Sequence, residues 1–79
     1  MANNHSIIYA SYRDGSKPHG KKVVIGFSGL TGGMSQPAYT DRDGRAIVEH
    51  SSTGRATVYV DGKDYGSFHA PGTFNVVLH

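Results

Sequence analysis

The chain has 79 residues, no cysteine and a formal net charge of +2. That length makes one domain whose core leaves about 3–5 kcal/mol of net stability, and the lack of cysteine excludes a disulfide framework or a cysteine-held zinc as a staple. Nucleic-acid binders carry a denser basic stripe, because their affinity grows with the phosphates they neutralise.

Residues 1–5 are polar and terminal and read as a flexible tail, leaving residues 6–79 as a single domain. Ile7-Ile8 is too short for the apolar region of a signal peptide, and no apolar run reaches membrane-spanning length. The expected setting is cytoplasmic and soluble, unless the chain is a piece of a longer exported protein. Residues 6–12 (SIIYASY) are rich in β-branched and aromatic side chains and predict a first strand. Residues 13–20 (RDGSKPHG) combine Asp-Gly, Pro18 and Gly20 and predict a loop. Residues 21–27 (KKVVIGF) are nearly all apolar after two lysines and predict a central strand, with Gly26 as a bulge or close backbone approach.

The three glycines of residues 28–36 (SGLTGGMSQ) make ordering costly in entropy and predict a mobile surface loop. Leu30 and Met34 are either folded back or left for a partner. Residues 39–49 predict a β-hairpin turning at Asp43-Gly44, since glycine takes a positive φ freely. Asp14-Gly15 and Asp61-Gly62 repeat that turn signal on either side. Residues 55–61 (RATVYVD) alternate cleanly, placing Ala56, Val58 and Val60 on one face and Thr57 and Tyr59 on the other. Short strands over 65–69 and 73–78 close the chain around Ala70-Pro71-Gly72. With 11 glycines and no apolar spacing of helical period, no stretch predicts a helix.

Seven short strands predict an all-β fold, a two-sheet sandwich or small barrel. The expected core is Ile7, Tyr9, Val23, Ile25, Phe27, Ile47, Ala56, Val58, Val60, Phe68, Phe74, Val76 and Leu78. A one-residue slip in the first two strands would exchange their faces.

The residues at three turns resemble a known family. Residues 14–25, from Asp14-Gly15 through Pro18 and Gly20 to Val23-Val24-Ile25, resemble the loop and core strand that open carboxypeptidase-regulatory-like, or transthyretin-like, domains. Thr40-Asp41-Arg42-Asp43-Gly44-Arg45-Ala46 is similar to their central turn. Ala70-Pro71-Gly72-Thr73-Phe74-Asn75-Val76 is similar to the turn into their last strand. The likeness covers residues 12–78, and the glycine-rich insert departs from its spacing. It implies a seven-stranded, Ig-like or prealbumin-like two-sheet sandwich serving as a folding, adhesion or ligand-binding appendage. One transthyretin-like branch hydrolyses a purine-breakdown intermediate through a C-terminal Tyr-Arg-Gly-Ser. Residues 76–79 read Val-Val-Leu-His, so that activity is not implied.

The chemistry-bearing residues point the same way. His5, His19, His50, His69 and His79 lie on different elements without close ligand spacing, so no metal is expected. Asp41 and Asp43 begin like a calcium loop, but the twelfth position is Ser52 where a glutamate is needed. Gly26-Phe27-Ser28-Gly29-Leu30 misses a nucleophile elbow at its fifth residue. The expectation is therefore no catalysis and no cofactor. The leading function is a binding or interaction module that engages a protein partner or its own copy through a sheet edge or face. The alternative is a small carbohydrate-binding module using Tyr59, Tyr65 and Tyr39, since tyrosine rings pair an apolar face with a wet end. Residues 1–22 carry Lys17, Lys21 and Lys22 in a surplus of +3, a weaker candidate site for an anion.

Overall fold

Runs of β-branched and aromatic residues, each ended by Asp-Gly, proline or glycine, form seven strands. The computed structural model describes residues 4–27 and 33–78. The strands are β1 (Asn4–Tyr12), β2 (Lys22–Phe27), β3 (Ala38–Tyr39), β4 (Arg45–His50), β5 (Gly54–Val60), β6 (Lys63–Ala70) and β7 (Thr73–Leu78), with no helix among the described residues. They make two packed sheets, one of three strands in the order β4-β1-β7 and one of four in the order β3-β2-β5-β6. All neighbours are antiparallel except β1 and β7, which run parallel. β1 begins at Asn4, so two of the five residues expected in a tail belong to the sheet.

The layer between the sheets holds Ile8, Ala10, Val23, Ile25, Ala46, Val48, Ala56, Val58, Val60, Ala70, Val76 and Leu78, with Phe27, Phe68 and Phe74 packed against it. Three residues expected there are elsewhere. Tyr9 and Ile47 are 40% and 49% exposed and Ile7 is half-buried, because β1 buries Ser6, Ile8 and Ala10 and β4 buries Ala46, Val48 and His50. Both strands present the face opposite to the expected one. In β4 the reason is charge: placing Ile47 inside would also bury Arg45 and Glu49, whose ionised groups are far costlier to desolvate than one isoleucine is to expose.

The three Asp-Gly turns do different things. Only Asp61-Gly62 closes a hairpin, joining β5 to β6 with φ of 51° and 84°, a pair of positive values suited to two-residue connections. The predicted hairpin over residues 39–49 is instead an arch, since β3 pairs with β2 and β4 pairs with β1. Asp14-Gly15 likewise lies in a connection between sheets, from β1 to β2. Asp41 shapes the first arch: its Oδ1 accepts from the backbone N–H of Asp43 (2.9 Å) and Arg45 (3.0 Å), and its own N–H donates to the Arg45 carbonyl (2.9 Å). Of the glycine-rich insert, residues 28–32, including Leu30, lie outside the described residues. Residues 33–36 run beside β2, where Met34 bridges Gly26 and Ser35 N–H donates to the Ile25 carbonyl.

Candidate functional site

The four-stranded sheet turns Tyr59 outward, between buried Val58 and Val60. Tyr59 is registered with Val24, and Tyr39 with Lys22, so all four share this outer face. Gly26 leaves room for two side chains, because a Cβ there would stand 2.9 Å from Met34 Sδ and 3.2 Å from the Tyr59 ring. Tyr39 is 60% exposed and Met34 64%. Tyr65 does not join this platform. It packs against the core at the end of the sandwich, lining a small cleft with Tyr12, Lys21 and Leu78.

The three candidate lysines also diverge. Lys21 pairs with Asp61 at 3.3 Å, and that hydrogen bond, helped by the nearby Tyr12, raises its pKa above the ordinary lysine value. Lys22 lies on the sheet face beside Tyr39, and Lys17 is on the β1–β2 loop near Gly44. An anion would therefore meet them singly.

Among the histidines, His50 is buried and hydrogen-bonded. Its Nε2 is 2.7 Å from Ser6 Oγ and its Nδ1 is 2.7 Å from the Ser52 carbonyl, with the ring tilted against Phe27 at 5.1 Å. The carbonyl can only accept, so Nδ1 carries a proton, and in the neutral ring Nε2 then accepts from the Ser6 hydroxyl. Ser6 Oγ in turn accepts from the Gly72 N–H at 3.3 Å. The pair resembles a serine–base couple, but Ser6 is fully buried and no reactant reaches it. His5 instead meets Glu49 at 3.4 Å on the surface. Among the described residues, no three His, Asp or Glu side chains converge as metal ligands.

The outer face of the three-stranded sheet holds three large apolar side chains that the core leaves exposed. Ile47 stands beside Ile7 across β4 and β1, Tyr9 lies two residues further along β1, and Val77 of β7 is registered with Ser11. Val77 is 54% exposed. At the flank, between β3 and β4, an open groove of about 390 Å³ is lined by Pro37, Tyr39, Asp41, Arg45, Ile47 and Glu49. Apolar alternation alone places Tyr9 and Ile47 in the core and so hides this side of the molecule. The charges of Arg45 and Glu49 flanking Ile47 are the signal in the sequence that marks its strand face as exposed.

Comparison with protein-family models, with curated proteins and with solved structures finds no match to this chain. No helix among the described residues is long and apolar enough to cross a membrane.

Proposed function

We propose that this chain is a non-catalytic interaction module of the transthyretin-like, or carboxypeptidase-regulatory-like, kind, which engages a polypeptide through its three-stranded sheet. The observation that carries this reading is the gathering of Tyr9, Ile47 and Val77, with half-buried Ile7, on one face across three adjacent strands. Single exposed apolar residues are ordinary, but a contiguous set is the composition of an interface core. The family likeness draws support from seven strands in sheets of three and four, and from the three quoted motifs, each of which leads into a strand that feeds the core.

A photo-crosslinking benzophenone side chain placed at Tyr9, and separately at His69 on β6, tests the reading in native extract. A discrete polypeptide adduct from position 9 and none from position 69 is the expected result. Adducts from position 69 alone, or from neither, would refute it.

A further inference from the structure

The two sheets present four edge strands, and three of them are protected. β3 is only two residues long. β6 is irregular opposite Thr57–Tyr59, has Gly66 at a φ of 118°, and carries Lys63 and Asp64. On β4 the outward-pointing backbone of Arg45 is already used, its N–H by the Asp41 carboxylate and its carbonyl by the Asp41 N–H; the outward groups of Ile47 and Glu49 have no partner among the described residues, and there the charges of Arg45 and Glu49 protect the edge. Short length, bulges, charge and capped backbone are the usual means of keeping an edge from pairing.

β7 has none of these. Its six residues, Thr73–Leu78, include no charge and no proline. The Ile7 N–H donates to the Gly72 carbonyl while Ile7 is registered with Thr73, which places Gly72, Phe74, Val76 and Leu78 toward β1. Thr73, Asn75 and Val77 therefore point their N–H and C=O groups away from the sheet, and those groups have no partner among the described residues.

From this edge we infer a second copy of the chain as the partner, paired antiparallel through β7 about a twofold axis at Asn75; this rests on the reading of the three-stranded sheet as the interaction surface. With Asn75 opposite Asn75 of the other copy, Thr73 falls opposite Val77 and Val77 opposite Thr73. All six outward N–H and C=O groups of each copy are then paired, and like side chains meet at the axis without charge repulsion. The two three-stranded sheets become one of six strands, and the exposed Val77 and Tyr9 of both copies lie along one continuous face. Phe74, stacked on Phe68 at 5.4 Å beneath the edge, gains cover from the incoming strand.

Sedimentation equilibrium and amide hydrogen exchange over micromolar to millimolar protein decide it. The mass is expected to rise with concentration from 8.5 kDa toward twice that. The amides of Thr73, Asn75 and Val77 should gain protection over the same range, whereas those of Phe74, Val76 and Leu78 are protected throughout. Asn75→Pro removes an outward N–H that the monomer does not use, so its thermal unfolding should stay close to the parent. It should weaken the dimer about thirtyfold, equivalent to two backbone hydrogen bonds at about 1 kcal/mol each. Asn75→Lys, which opposes two ammonium groups at the axis, should weaken it as well, and more so at low salt. A monomer at every concentration, or a dimer indifferent to both substitutions, overturns the inference. If the benzophenone at position 9 then still captures a different polypeptide, the interaction reading survives and only the second copy is lost.

Discussion

Replacing Ser6 by alanine is a severe test of how the buried polar pair holds the two ends of the chain together. Ser6 lies on β1, His50 on β4, and the Gly72 N–H that Ser6 accepts precedes β7, so one hydroxyl ties all three strands of its sheet. The substitution removes the 2.7 Å hydrogen bond and leaves His50 Nε2 buried without a donor. An orphaned buried acceptor costs about 1–3 kcal/mol. The Gly72 contact is long at 3.3 Å and half-buried, and adds little. A loss of about 2–3 kcal/mol would be most of the stability available to a chain of this size, and corresponds to a fall in Tm of about 8–24 °C. Ser6→Ala/His50→Phe removes both polar partners and keeps a ring against Phe27. It should therefore cost less than the sum of the two single substitutions by about 1 kcal/mol or more. Urea unfolding of the four proteins measures this. A Ser6→Ala cost below about 0.5 kcal/mol, or strict additivity, would show that the pair is not coupled and refute the argument.

The faces of β4 can be checked by truncation: Val48→Ala should cost about 1.5–3 kcal/mol, while Ile47→Ala, on the exposed face, should stay within about 0.5 kcal/mol in chemical denaturation. Gly44→Ala should be more damaging than Gly62→Ala by thermal melting. Both have positive φ, but only at position 44 would the added Cβ drive into the Ala10 carbonyl. The Asp41 carboxylate is held below its ordinary pKa, chiefly by the Arg45 N–H and further by the Asp43 N–H and the Arg45 charge. A depressed carboxylate contributes stability above its unfolded value and loses it as pH falls through the folded one. Acid titration of unfolding should show that loss, and Asp41→Asn should flatten it; an unchanged pH profile would contradict the assignment. Asp41→Ala also frees the Arg45 backbone, and should increase concentration-dependent association by opening the β4 edge.

Much of the architecture was legible because strand periodicity and turn chemistry agreed. Val23, Ile25, Ala56, Val58, Val60, Val76 and Leu78 are in the core where alternation put them. Two kinds of information were missing. The first is the face of a strand whose two sides are both partly apolar: in β1 the sets Ser6-Ile8-Ala10 and Ile7-Tyr9 compete, and the first set faces the core, where Ser6 meets buried His50 of β4, a partner 44 residues away that periodicity does not register. The second is which strands a turn joins. Asp-Gly marks a local reversal, which serves a hairpin within a sheet or an arch between sheets. Residues 43–44 and 61–62 are both Asp-Gly, yet the aspartate takes a positive φ only at 61, and the strand that follows finds its partner in a different sheet, a long-range fact. The candidate tyrosines show the same limit. Tyr59 and Tyr39 share a face because β2 lies between their strands, whereas Tyr65 lies within the irregular stretch of β6, between Asp64 and Ser67, that alternation could not foresee.

The arches also account for where the proposed association is directed. Had residues 39–49 formed a hairpin with the other pairings kept, β3 and β4 would have covered each other and joined the two sheets into one, leaving two edges fewer. Because the chain crosses between sheets at 13–21, 40–44, 51–53 and 71–72, each sheet retains two edges among the described residues. Asp41 guards the start of β4 as a by-product of shaping its arch, the charges of Arg45 and Glu49 guard the rest, and the irregularity in β6 guards the second sheet. The parallel pairing of β1 with β7 leaves the last strand outermost. A parallel neighbour beyond it would need a long crossover connection, whereas an antiparallel neighbour needs only another copy of a six-residue uncharged strand. In the proposed dimer, burial that a small core lacks would be gained between chains through this edge.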